Sequence, residues 1–309
     1  MKTSRLLILS DGKPGHVNQS IAFARHLGIE YDLSLVSFKK RWGKALSYLL
    51  DRVGIYSDKL FSTNFQFGDY STVVSTGSGT YYANRTLAQR LGCRSVAVML
   101  PRGYRFSFDL IVAQQHDNPP LLANIVTIPI NLSYIEPQGL VKPRSGERYI
   151  ALIIGGDSRH LQMNVPLLQE QLTQILALFP EHKVWMTTSP RTPQGVEEML
   201  RQFSFSRAVY YSEEPINPIP DFLQHSEYIF LTADSSSMVS EAVSFGRGCI
   251  EVLPPSSNLP KESKINKLIT ILAEQKCLHL FDGSTANCRK KISLADLFNQ
   301  QIVNRFESD

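Results

Sequence analysis

The stretch LLILSDGKPGHVNQ, residues 6–19, decides how this chain is read. Leu6 to Leu9 form an apolar run too short for a helix and long enough for a covered strand. Asp11 to His16 then bring together a carboxylate, two glycines, a lysine, a proline and a histidine, and a helix-period segment follows. A short apolar run feeding a glycine turn and then a helix opens a βαβ unit. In an open α/β sheet, ligands bind beyond the carboxyl ends of the strands, where this turn lies. Gly12 and Gly15 let backbone approach a ligand. The helix from about Val17 offers free N–H groups to an anion. Asp11 or His16 could take a proton from a hydroxyl nucleophile. The plainer reading of the same residues is a turn with an exposed histidine.

The pattern repeats along the chain. Apolar runs at Leu6–Leu9, Tyr31–Val36, Thr72–Ser75, Ser95–Met99, Leu110–Ala113 and Ile125–Ile128 read as strands. A second series reads at Tyr149–Ile154, Lys183–Thr187, Ala208–Tyr210, Tyr228–Thr232 and Gly248–Val252. Helical segments alternate with them; in Val165–Phe179, Val165, Leu168, Leu172, Ile175, Leu176 and Phe179 make one apolar face. The fold class is α/β: two Rossmann-like, doubly wound domains facing a cleft. The segment Asn131–Glu147, with two prolines and two glycines, reads as the linker between them. The expected domains are 1–140 and 147–292, with a tail, 293–309, packing back.

Composition narrows the class. The 309 residues are 43% apolar, enough for ordinary cores. No window holds 18 apolar residues, and the N-terminal apolar run is short for a signal peptide, so a cytoplasmic protein is expected. The four cysteines form no CxxC pair, so neither a zinc site nor a disulfide framework is expected. A formal net charge of +4 suits an anionic small ligand or acidic membrane surface, and argues no nucleic acid.

Four further segments carry candidate chemistry. Gly155-Gly156-Asp157-Ser158-Arg159-His160 follows a strand, lacks the spacing of a P-loop, and suits a phosphate or sugar. In Thr187-Thr188-Ser189-Pro190-Arg191-Thr192, Ser189 and Pro190 read as a helix start, and Arg191 could pair a phosphate. In Thr232-Ala233-Asp234-Ser235-Ser236-Ser237-Met238-Val239-Ser240-Glu241-Ala242, the spacing i, i+3, i+7 sets Asp234, Ser237 and Glu241 on one helix face. Serines and backbone there suit phosphate, and Glu241 suits ribose hydroxyls. Gly77-Ser78-Gly79 resembles half a dinucleotide fingerprint, but no acidic residue ends the next strand, so a nicotinamide cofactor is disfavoured. Gln115-His116-Asp117 ends another strand, with His116 a second candidate base. The basic and aromatic run Phe38–Lys44, leading into apolar Ala45–Leu50, suits anionic lipid, or else a solvated turn before a core helix.

Taken in order, DGKPGHVNQ, STGSG, QQHD, GGDSRH, TTSPRTP and TADSSSMVSEA resemble the mitochondrial fission ELM1-like family, over about residues 6 to 255. SSSMVSEAVSFG is more distantly similar to the donor-binding helix of MurG-type N-acetylglucosaminyltransferases, in which a glutamate, here matched by Glu241, holds the ribose. DGKPGH departs from the double-glycine loop of those enzymes. The resemblance implies a GT-B glycosyltransferase architecture that works without the metal-binding DxD motif, and no metal site or cofactor is expected. The implied function is transfer of a sugar from a nucleotide-sugar co-substrate to an acceptor hydroxyl, on an envelope glycolipid or lipopolysaccharide core saccharide at the inner membrane face. Asp11 and His16 would be catalytic. Gly155, Gly156, Asp157, Ser158, Thr188, Ser189, Arg191, Thr232, Asp234, Ser235, Ser236, Ser237 and Glu241 would hold the donor. Gly12, Lys13, Gly15, Asn18, Gln19, Gly77, His116 and Asp117 would line the acceptor side. The rival readings are a nucleotide-sugar epimerase or hydrolase on the same fold, and a non-catalytic membrane adaptor.

Overall fold

The computed structural model describes residues 5–66, 68–158, 161–255 and 263–303. The chain forms two α/β units, one from the residues up to Tyr134 with those from Leu294 on, the other Ile135–Ser293.

In the first unit the chain runs β1 (Arg5–Ser10), α1 (Pro14–Leu27), β2 (Tyr31–Phe38), α2 (Gly43–Val53), β3 (Phe61–Thr63), β4 (Tyr70–Thr76), α3 (Tyr81–Leu91), β5 (Arg94–Val98), β6 (Leu110–Gln114) and β7 (Ile125–Ile128). The sheet order is β3-β2-β1-β4-β5-β6-β7. All neighbours are parallel except β2 and β3, whose antiparallel register pairs Ser37 with Ser62. A parallel sheet between two helix layers needs strands that are apolar on both faces. Leu6 to Leu9 meet that need and are buried. Leu7 and Leu9 join a core with Val73, Tyr82 and Leu87, and alternation turns Leu6 and Ile8 to the opposite face. The later helix α9 (Leu294–Phe298) returns to this unit. There the ring of Phe298 lies 5.5 Å from Phe23 and 4.8 Å from His26.

The second unit contains β8 (Tyr149–Ile153), α4 (Val165–Leu178), β9 (Lys183–Thr187), α5 (Gln194–Leu200), β10 (Arg207–Val209), α6 (Ile219–His225), β11 (Tyr228–Thr232), α7 (Ser236–Ser244), β12 (Cys249–Leu253), α8 (Lys264–Glu274) and β13 (His279–Leu280). Its sheet order is β10-β9-β8-β11-β12-β13, all parallel. α4 starts where Asn164 accepts from the N–H of Leu167 at 3.0 Å. It buries Leu168, Leu172 and Ile175 against Ile150, Leu152 and Phe230. Ahead of β8, the backbone N–H groups of Gln138, Gly139 and Val141 all donate to the buried carboxylate of Asp221 on α6.

The edge strands β3 and β13 are absent from the sequence reading. They span three and two residues, too short to show a period. In both units the strand order reverses beside the first strand, between β1 and β4 and between β8 and β11. Such reversals open the crevices where doubly wound sheets bind ligands.

Candidate active site

The first reversal point is built from the loops after β1 and β4. Gly12 turns with φ +79, its N–H held by Ser10 Oγ at 3.0 Å. Lys13 is the N-cap position and Pro14 starts α1, where a missing N–H costs nothing. This turn aims Asp11 at His16. His16 Nδ1 lies 3.1 and 3.0 Å from the two carboxylate oxygens. Lys13 Nζ is 3.3 Å from the same carboxylate. Burial pushes the Asp11 carboxyl up, but His16 first, and then Lys13, outweigh it and hold its pKa below the ordinary value. The loop after β4 closes on this pair. A Cβ at Gly77 (φ +91) would lie 2.4 Å from His16 Nδ1, and one at Gly79 would lie 3.1 Å from Asp11 Cβ. At Gly77 only glycine lets this loop come so near, while at Gly79 a Cβ would ask the Asp11 side chain to give by a few tenths of an ångström.

Other named residues surround the pair by separate bonds. Gln19 donates to the Gly15 carbonyl at 3.1 Å and accepts from Gln114 at 3.1 Å. Asp117 is buried and accepts from Arg102 at 3.3 Å. His116 is buried beside it in a short 3-10 turn. Asn18 is exposed. Gln114 enters the sequence expectation only within QQHD, and Lys44, which donates to Ser78 Oγ at 2.8 Å, only as the end of the basic run Phe38–Lys44. Arg102 has no place in it, since it lies in a loop with no local pattern.

The second reversal point joins three loops. Asp234, its side chain fully buried, accepts from Thr232 Oγ1 at 2.6 Å, from the N–H of Gly156 at 3.1 Å, and from Arg191 at 2.7 Å. Gly155 donates its N–H to Thr232 Oγ1 at 2.8 Å. Arg191, 44% exposed, also donates to the Asp157 carbonyl at 2.8 Å. Thr192 ties the Gly155 carbonyl and the Ser189 N–H together, at 2.6 and 2.8 Å. A Cβ at Gly156 would sit 2.0 Å from the Arg191 carbonyl oxygen. Ser189 is therefore no helix cap; its Oγ accepts from the Arg191 N–H inside the loop at 3.2 Å, and α5 begins at Gln194.

Two residues differ from the sequence expectation in where they point. Asp234 does not share a helical stripe with Ser237 and Glu241. α7 begins at Ser236 with Ser235 as its cap, its Oγ accepting from Met238 N–H at 3.4 Å, so Asp234 precedes the helix and turns into the loops. Thr188 is buried, giving its hydroxyl proton to Glu197 and accepting from the Tyr211 N–H, each at 2.8 Å. Ser158 donates its N–H to the Leu161 carbonyl at 2.8 Å; Arg159 and His160 lie outside the described residues. Ser236, Ser237 and Glu241 are half-buried on α7. Burial pushes the Glu241 carboxyl up to about 7, and its side chain has no hydrogen-bond or ion-pair partner among the described residues. Among those residues, no group of three or more His, Cys, Asp and Glu side chains is placed to hold a metal ion.

The family model for mitochondrial fission ELM1 matches residues 14–306. The chain belongs to the mitochondrial fission ELM1 family. The uncharacterized protein RP120 of Rickettsia prowazekii (strain Madrid E) is 31% identical over 144 residues, a match covering 45% of this chain and 40% of that relative. Among solved structures, S. aureus MnaA in a co-structure with UDP is similar with a TM-score of 0.51 and 10% identity, covering 99% of this chain and 97% of that one. The glycosyltransferase SnogD from Streptomyces nogalater gives 0.51 and 12%, covering 99% and 96%. An Arabidopsis thaliana protein complexed with UDP-L-rhamnose gives 0.52 and 10%, covering 100% and 91%. At these identities the likeness is one of fold: this ELM1-family chain has the glycosyltransferase-like GT-B fold, with two Rossmann-like parallel-sheet domains.

Proposed function

We propose that this ELM1-family protein is a glycosyltransferase that moves a sugar from a nucleotide-sugar to an acceptor hydroxyl, with an envelope glycolipid or lipopolysaccharide core saccharide as the acceptor class. The observation that carries the reading is Glu241. A half-buried carboxylate without a partner is costly, and on α7, one element beyond the loops tied by Asp234, it has a use if it accepts hydrogen bonds from the two hydroxyls of a ribose. The diphosphate then meets the N-terminus of α7, with Ser235, Ser236 and Ser237, and Arg191 held by Asp234. Together these offset the charge that develops on the leaving diphosphate. The nucleotide-sugar is a co-substrate, and no further cofactor enters the reading.

In the first unit, the carboxylate of Asp11 accepts at Nδ1 of His16. That bond fixes the tautomer in which Nε2 carries the lone pair. Asp11, held ionised by His16 and Lys13, is a weak base and acts by orienting His16. His16 Nε2 takes the acceptor proton as the oxygen attacks the anomeric carbon and the bond to the diphosphate breaks.

The test is a thermal-shift panel of uridine, cytidine, guanosine, adenosine and thymidine diphospho-sugars and CMP-sugars against wild type and Glu241→Ala. A ligand that binds only the folded state raises its melting temperature. One donor is expected to stabilise wild type and not the variant. No shift with any of them would remove the transferase reading and leave the adaptor, and turnover of the donor without added acceptor would favour the epimerase or hydrolase.

A further inference from the structure

The geometry points to a second ligand site in the Ile135–Ser293 unit: a cationic pocket at the starting ends of β8, β9 and β10 that takes a ligand bearing two or more phosphoryl groups. The cavity there measures about 460 Å³. It lies at the opposite end of these strands from the glycine loops, about 16 Å along a five-residue strand, and does not depend on the donor reading.

Strand register builds it. Parallel pairing sets Tyr149 beside Lys183 and Trp185 beside Arg207, so these side chains stand on one face of the sheet. Tyr149 and Trp185 are buried with their rings 4.2 Å apart, a rigid aromatic wall. The segment held by Asp221 passes over the open side and adds Lys142, Arg144 and Glu147 to the lining.

The charge balance chooses the ligand. Glu147 is the one acid among the lining residues, and it is engaged by the Tyr149 hydroxyl, which in turn accepts from the Arg144 N–H at 2.9 Å. Arg207 is held by Glu214 through two bonds of 2.6 and 2.7 Å. Lys142, Arg144 and Lys183 form no ion pair among the described residues, so three cationic groups from two separate segments border one cavity against the single charge of Glu147. Such a set repels cations and gains from an oxyanion of two or more charges that reaches several of them together. A lone carboxylate leaves part of the positive charge unmatched; a diphosphate or a phosphorylated headgroup matches it. Arg144 supplies the fork that suits a phosphoryl group, and the lysines act as point charges.

The experiment is calorimetric titration of the full chain with inorganic pyrophosphate, and in parallel co-sedimentation with phosphatidylcholine vesicles containing phosphatidylinositol 4-phosphate, whose headgroup bears two phosphoryl groups. Three proteins are compared: wild type, the triple variant Lys142→Gln/Arg144→Gln/Lys183→Gln, and Arg191→Gln. The three substituted cations are exposed, and an unchanged melting temperature without ligand verifies that the triple variant folds. Binding of pyrophosphate that falls at least about tenfold in the triple variant, and persists in Arg191→Gln, supports a soluble phosphate ligand. The same dependence seen with vesicles alone supports a phosphorylated lipid headgroup. Binding equal in wild type and triple variant, binding lost only in Arg191→Gln, or no binding to either probe overturns the proposal.

Discussion

A Cβ on Gly155 would lie 2.0 Å from Oδ1 of Asp234. The glycine and the carboxylate belong to the loops after β8 and β11, which flank the reversal point of the second sheet. The same device recurs in the first sheet, where Gly77 makes room for His16. In each unit one loop gives up its side chain so that the other can bring in a functional one.

The Gly155 contact makes a sharp test. Gly155→Ala must displace Asp234, and with it the bonds to Thr232, the Gly156 N–H and Arg191. Leaving buried groups of this kind unsatisfied costs about 1–3 kcal/mol. We expect a lower melting temperature and loss of the nucleotide-sugar shift. Asp234→Asn keeps the shape but weakens the hold on Arg191, so it should fold and bind the donor less tightly. Calorimetric titration of both variants checks this, and wild-type affinity in Gly155→Ala would show that the loops do not form the donor site.

Glu241 gives a pH-dependent test. Its pKa is raised from 4.5 to about 7 by burial, so the folded state binds more protons than the unfolded state between those values. Stability from this group is present below pH 4.5 and lost as pH rises to about 7. Glu241→Gln removes the titration. It should raise the melting temperature of the ligand-free protein above pH 7, by about 2–4 °C for each kcal/mol relieved, and do little at pH 4.5. In the same variant the nucleotide-sugar shift should shrink. Scanning fluorimetry from pH 4.5 to 8.5 reads both, and a stabilisation equal at the two extremes would mean that the carboxylate charge is not its source.

The Asp11–His16 pair predicts a division of roles. His16→Ala should lower kcat by about 10²–10⁴ with little change in KM for the donor. Asp11→Asn keeps a hydrogen-bonding partner but lets His16 take the other tautomer, and should lower kcat within the same range. Gly77→Ala, which pushes on the His16 ring, should do likewise without touching the reacting groups. Steady-state kinetics with the donor found in the thermal-shift panel tests all three; full activity in His16→Ala would remove it as the base.

The strands at the reversal points were legible because their residues are apolar on both faces, and the glycine turns after β1, β4 and β8 were legible because composition changes abruptly there. The partners within each turn were not. Asp234, Ser237 and Glu241 have helical spacing, but spacing cannot say where a helix begins. Ser235 caps α7, so Asp234 falls in the turn before the helix and faces Arg191, 43 residues away in sequence. Ser189-Pro190 has the residue types of a helix start, yet the hydroxyl of Thr192 is closer to the need, which is to close a loop on Gly155. Likewise nothing local in ADLFNQ tells that Phe298 stacks on His26.

That stacking bears on stability. His26 is held with its pKa lowered by burial, only partly offset by its bond to the Ser133 carbonyl at 2.9 Å. The folded state therefore binds fewer protons, and the contribution of this group is complete above the ordinary histidine pKa of 6.5 and lost as pH falls below it. Protonation should loosen α9 from α1 before the rest of the unit opens. Hydrogen exchange of residues 294–303 at pH 5.5 and 7.5 should show faster exchange at the lower pH than the intrinsic rates explain, and His26→Gln should abolish the difference.

An acceptor anchored in the envelope requires contact with a membrane. No helix among the described residues is long and apolar enough to cross a bilayer, so contact would have to be made at the surface. On α2 and the residue before it, Trp42, Leu49 and Val53 are 60%, 58% and 63% exposed, and their spacing puts them on one helical face. Lys39, Lys40 and Arg41 lead into the helix just before Trp42, and Arg52 adjoins Val53. The one acid of the helix, Asp51, is buried and held by the Tyr56 hydroxyl at 2.9 Å and the Arg105 N–H at 2.7 Å. An exposed apolar stripe bordered by cations and cleared of acids suits an anionic lipid surface, where each basic residue contributes about 1 kcal/mol. The full chain should pellet with vesicles rich in anionic lipid and not with neutral ones, and salt should release it. Trp42→Ala/Leu49→Ala should pellet less at every salt concentration, while Lys40→Gln/Arg41→Gln should differ from wild type chiefly at low salt. Equal partition of wild type and Trp42→Ala/Leu49→Ala would assign the exposed stripe to something other than lipid.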